Sequence, residues 1–103
     1  MILRLALDDT TYEIDLRTIL NVEAIEVQKR TGYAYDDWLT KCDEGDPQAI
    51  TAMVWLMRKR AGQVERFSEV EFPIFAWRDR ELVSDEPADP PTTPAEAGQT
   101  ENN

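Results

Sequence analysis

The sequence predicts an α+β, mainly helical fold. An N-terminal β-hairpin packs on a small three-helix body, an extended aromatic strap crosses it, and a disordered acidic tail ends the chain. Three observations carry this reading. The first sixteen residues alternate apolar and polar side chains around Asp8-Asp9-Thr10. Residues 46–62 hold a capped and unusually apolar helical segment. From Asp85 onward, DEPADPPTTPAEAGQTENN has four prolines, five acids, no base and no large apolar residue.

In ILRLAL (2–7), Leu3, Leu5 and Leu7 share one face, and in TYEIDL (11–16) Tyr12, Ile14 and Leu16 do the same. Period-two alternation places such residues on one side of a strand. The Asp8-Asp9-Thr10 connection is turn chemistry. A hairpin alone is marginally stable in water, so this one must lie against the helices.

The first helix is expected at about residues 20–31, with Asn21 as N-cap, Glu23 in the first turn, Lys29 and Arg30 in the last, and Gly32 as stop. Glu26 and Arg30 stand four apart in the favourable order. Val22, Ala24, Ile25 and Val27 are its apolar side. One or two helical turns follow around Asp36–Lys41, with Tyr35, Trp38 and Leu39 directed inward.

The segment GDPQAITAMVWLMRKRAG (45–62) is the best-defined element. Asp46 caps it, and Pro47 stands at the first helical position, where a missing N–H costs nothing. Arg58, Lys59 and Arg60 complement the negative end of the helix dipole, and Gly62 ends the helix. It is too short to cross a bilayer, which takes about 20 apolar residues. Wound at about 100° per residue, Ala49, Ile50, Ala52, Met53, Val54, Leu56, Met57 and Ala61 fall within an arc of roughly 200°. Trp55 falls in the opposite sector with Gln48, Thr51, Arg58 and Lys59. Either the C-terminal segment folds back over this indole or the indole is presented to a partner; tryptophan is enriched at binding hot spots.

The strap QVERFSEVEFPIFAWRDRELV brings Phe67, Phe72, Phe75 and Trp77 into a short span. Ser68 is placed to cap one short turn, and Pro73 bars a long helix. The aromatics either cover the core or form a docking strip. The predicted partner-binding set is therefore Trp55, Arg58, Lys59, Phe67, Phe72, Phe75 and Trp77.

The chain has 103 residues, a single cysteine and no histidine, and its net charge is −10. This length supports one modest core. One cysteine excludes an internal disulfide framework and fits a reducing cytosol. The absence of histidine removes the commonest general base and transition-metal ligand. The net charge disfavours binding to a phosphate backbone, and Arg58-Lys59-Arg60 is accounted for by the helix end. No secretory signal precedes Asp8-Asp9. The acids 36, 37, 43, 44 and 46 lack the spacing of a calcium loop. Cys42 has no histidine partner, Ser68 and Ser84 have no triad to join, and no glycine-rich phosphate loop is present. Paired carboxylates for glycoside chemistry are not marked out from a solvated face. The expectation is a non-enzymatic protein with neither metal nor cofactor, no nucleic-acid partner and no membrane span. The body, residues 1–84, holds 16 acids and 11 bases, and residues 85–103 form the acidic tail. A tail of this composition cannot bury enough apolar surface to compensate its ordering entropy.

The layout is similar to a known family. The hairpin leads into a helix ending QKRTG; the GDP-capped helix and RFSEVEF follow, then the acidic proline-rich tail. Over about residues 2–84 the chain resembles the small tail assembly chaperones of long-tailed, siphovirus-type bacteriophages, particularly those infecting actinobacteria, and its most specific match lies in 45–72. The resemblance implies a non-enzymatic role in the host bacterial cytoplasm. Such a chaperone binds the aggregation-prone tape measure protein, helps recruit tail tube subunits, and is absent from the mature virion. The chain would correspond to the short form of a pair related by ribosomal frameshifting. Self-association is compatible with this role. Two other classes fit the net charge: a DNA-mimic inhibitor of a host protein, and an acidic phage adaptor or connector. A mimic would array carboxylates along rigid faces, whereas this body interleaves bases with acids.

Overall fold

The computed structural model describes residues 1–63 and 65–83; the predicted tail, 85–103, lies outside them. The architecture is α+β and mainly helical. Strands β1 (Ile2–Leu7) and β2 (Thr10–Asp15) form the hairpin, and helices α1 (Asn21–Thr31), α2 (Tyr35–Glu44) and α3 (Pro47–Arg60) form the body. A short strand β3 (Glu81–Val83) closes the described chain.

The hairpin register pairs Leu3 with Ile14 and Leu5 with Tyr12, so the alternating apolar residues meet on one face, where all four are buried. Asp8 and Asp9 both take positive φ, 51° and 66°, a turn geometry that short polar side chains tolerate. β3 pairs antiparallel with the other edge of β1, giving the order β2-β1-β3. The third strand is absent from the sequence expectation. ELV is too short to show alternation, and it becomes a strand because β1 offers a free edge.

α3 is the centre of the molecule. Ala49, Ile50, Ala52, Met53, Val54, Leu56 and Met57 are buried as the arc predicts, whereas Ala61 is exposed beyond the helix end. α1, α2 and β2 pack against α3. Asp46 caps the helix by accepting from the N–H groups of Gln48 and Ala49 at 2.8 and 3.2 Å. Its other oxygen accepts from the Tyr33 hydroxyl at 2.7 Å. The cap thus also ties the α1–α2 link to the start of α3.

That arrangement has a pH signature. The Tyr33 hydroxyl, followed by the Ala49 and Gln48 N–H groups, holds the Asp46 carboxyl below its usual range. A carboxyl lowered in the folded state contributes stability above its unfolded pKa and loses it as pH falls through the folded value. The stability advantage of the wild type over Asp46→Asn, read from urea midpoints, is therefore expected to shrink as pH falls below about 4. An advantage that stays constant down to the acid transition would overturn this account.

Several local expectations are corrected. Asn21 is the first helical residue of α1, not its cap. Leu20 holds the N-cap position, and its N–H donates to Glu23 Oε1 at 2.8 Å. Glu23 can do this because it stands three residues on and reaches back, which removes the need for a polar cap side chain. α2 is longer than one or two turns, with Asp36 and Asp37 at its positive end and Lys41 in its last turn. Trp38 is fully buried and Leu39 packs against the core, but Tyr35 is exposed. The strap is not extended: 3-10 turns occupy Phe67–Glu69 and Ile74–Asp79, and Arg66, not Ser68, precedes the first.

The three tryptophans join the layers. Trp38 in α2 donates its indole N–H to the Ala49 carbonyl of α3 at 3.0 Å. Trp55 in α3 donates to the Glu65 carbonyl of the strap at 3.1 Å. Trp77 in the strap donates to the Cys42 carbonyl of α2 at 3.0 Å. Each indole is buried and each bond reaches a different segment.

Candidate protein-binding surface

The predicted partner-binding residues separate into buried and exposed groups. Trp55 is 7% exposed, so the first of its two alternatives holds: the strap folds back over it. Phe67 meets its ring edge-on at a centroid distance of 6.2 Å, and Lys59 places its ammonium 5.1 Å from the ring centroid. Arg58 is equally buried. Its guanidinium reaches Glu65 at 3.2 Å and the Glu71 carbonyl at 3.3 Å. Trp77 is buried against α2. These three hold the strap to the body and are not displayed by the folded chain. Phe67 and Phe72 are half-buried and pack on the core. Lys59 is exposed, and Phe75 is 67% exposed with Arg78 against its ring.

The basic run at the end of α3 also divides. Arg60 forms two hydrogen bonds to Glu23, at 2.6 and 3.1 Å, and two to Thr18 through its side chain and carbonyl, both at 2.8 Å. It pins the start of α1 to the hairpin exit, and its guanidinium lowers the Glu23 pKa. Only Lys59 of the three remains without an ion pair among the described residues.

Apart from Phe75, the exposed apolar surface lies where the sequence reading did not place it. Leu20, Val22 and Ile25 on and before α1 are 58%, 60% and 48% exposed, whereas Val27 is buried against the core. Ile74 beside Phe75 is also exposed. The α1 signal was present in the spacing. At about 100° per residue, Ala24, Val27 and Thr31 cluster on one side of the helix, and Val22, Ile25 and Lys29 on the opposite side. A short helix with two apolar stripes buries one and displays the other.

Chemical sites are sparse. Among the described residues no group of three or more His, Cys, Asp or Glu side chains is placed to hold a metal ion. Cys42 is buried, and its burial pushes the thiol pKa up to about 12, so it carries little thiolate. No helix of the described residues is long and apolar enough to cross a membrane. In comparisons with protein-family models, curated proteins and solved structures, the chain has no match.

Proposed function

We propose that this protein is a non-enzymatic tail assembly chaperone of a long-tailed bacteriophage, acting in the host bacterial cytoplasm and left out of the mature virion. It holds the tape measure protein through apolar contacts and helps recruit tail tube subunits. The observation that carries the reading is the outward side of α1, Val22 and Ile25, with exposed Leu20 just before the helix, displayed by an acidic chain. An exposed apolar stripe suits the apolar side chains of a client helix, and net charge keeps the assembly dispersed. The sequence resemblance in 45–72 supports the same reading.

The arrangement of charge supports it over a DNA mimic. Arg4 pairs with Glu13, Arg30 with Glu26, Arg58 with Glu65 and Arg60 with Glu23. Carboxylates neutralised by neighbours do not imitate a phosphate backbone.

Co-expression with the tape measure protein of a long-tailed phage, taken from the same genome as this chain, tests the proposal. Wild type is expected to keep the client soluble and to co-purify with it. The double variant Val22→Asp/Ile25→Asp, on a surface the body does not need, is expected to fold normally and lose both effects. Undiminished client capture by a folded double variant would overturn the assignment of this face.

A further inference from the structure

A groove of about 890 Å³ runs between the last turn of α1 and residues 65–69, with Trp55 and Phe67 in its lining. That volume lies in the range of ligand-binding clefts. Charge is sorted around it. Among the described residues every lysine and arginine except Lys29, Lys59, Arg66 and Arg78 stands in an ion pair. Lys29 and Arg66 line the groove, and Lys59 covers the adjoining Trp55 ring at 5.1 Å from its centroid. Only Arg78 lies elsewhere, against Phe75.

The two acids in the lining are already engaged. Glu65 holds Arg58, and Glu69 accepts the Arg66 backbone N–H at 3.1 Å. Lys29 suits the negative end of α1, but Arg66 precedes a 3-10 turn, where a cation has no helix dipole to complement. A chain of net charge −10 thus gathers its unpaired cations around one aromatic wall. The complementary ligand carries carboxylates for Lys29 and Arg66 and an apolar side chain for Trp55 and Phe67. Acidic peptide motifs are recognised by such basic clusters. A nucleic acid meets the same cations, but its dense phosphate charge is repelled by the rest of the chain, whereas a peptide brings few charges.

We propose that the groove between α1 and residues 65–69 docks an acidic segment of a partner protein. An apolar or aromatic side chain of that segment rests on Trp55 and Phe67, and its carboxylates face Lys29 and Arg66. This surface is separate from Val22 and Ile25, and the inference does not depend on the chaperone reading.

Titration of the isotope-labelled, full-length protein with a short peptide of Glu, Phe and Pro tests it. At low salt the peptide is expected to shift the amide signals of Lys29, Arg66 and Phe67 and the indole N–H of Trp55. The indoles of Trp38 and Trp77, bonded inside the body, are expected to stay in place. Lys29→Glu/Arg66→Glu, at two exposed positions, is expected to keep the fold and to weaken binding about tenfold. Lys29→Arg/Arg66→Lys is expected to bind as wild type does. Affinity is expected to fall on raising salt from about 0.01 to about 1 M, across which the Debye length shrinks from about 30 to about 3 Å. A peptide with Lys for Glu is expected not to bind, and one with Ala for Phe to bind more weakly. Groove signals that stay in place, or equal binding by the charge-reversed protein or the Lys peptide, would overturn the proposal. So would displacement of the peptide by single-stranded oligothymidine, which makes the groove a nucleic-acid site. A dimer of the unliganded protein that Lys29→Glu/Arg66→Glu dissociates in sedimentation would overturn it too, by giving the groove to a second copy. Groove signals that shift in Asp85→Lys/Glu86→Lys/Asp89→Lys with no peptide present would do the same, by giving it to the chain's own acidic segment.

Discussion

Trp38→Ala is expected to destabilise the protein by about 3–5 kcal/mol, the range for truncating a large buried aromatic. Trp38 is the largest fully buried side chain, and it lies between α2 and α3. Its loss leaves a cavity that the backbones of the two packed helices cannot collapse to fill. It also removes the indole N–H from the Ala49 carbonyl. Trp38→Phe retains most of the packing and loses the hydrogen bond, so a smaller cost of about 1–2 kcal/mol is expected. Urea titration followed by far-UV circular dichroism measures both. Equal costs for the two variants would mean that the hydrogen bond, not the volume, dominates at this position.

The second large effect is asymmetric. Arg58 is buried, and Glu65→Ala leaves its guanidinium with the Glu71 carbonyl as its one remaining acceptor among the described residues. Its Nε has no hydrogen-bond partner there. Breaking a buried pair from one side costs about 3–5 kcal/mol. The Glu65 side chain is 25% exposed, so water recovers part of the loss and about 2–4 kcal/mol is expected. Arg58→Met removes the buried charge itself while keeping an apolar stem, and it leaves behind a carboxylate that water can reach. It should cost less than Glu65→Ala. The reverse order in chemical unfolding would show that Arg58 acts chiefly through its hydrogen bond to Glu71.

The parts of this fold that were legible in the sequence are those set by neighbours in the chain. Asp46-Pro47 announces α3, alternation and an acidic turn announce the hairpin, and Gly32 ends α1 in the left-handed conformation that glycine adopts freely. The partner surface was less legible because it depends on contacts distant in sequence. Helical periodicity puts Trp55 in a polar sector, and it is buried only because residues 65–67 return to cover it. Arg58 reads as an end-of-helix charge, yet Glu65 and Glu71 lie where they can receive it inside. Val22 and Ile25 read as core, and the other side of α1 takes that place through Val27.

The indole bonds from α2 to α3, from α3 to the strap and from the strap back to α2 close a circuit. Each junction between layers therefore carries its own fluorophore. A chain keeping a single tryptophan, with the other two conservatively replaced, would report on one junction alone. Whether the strap peels away before the helices part, or all three separate together, is then readable as the order in which three emission spectra shift to the red.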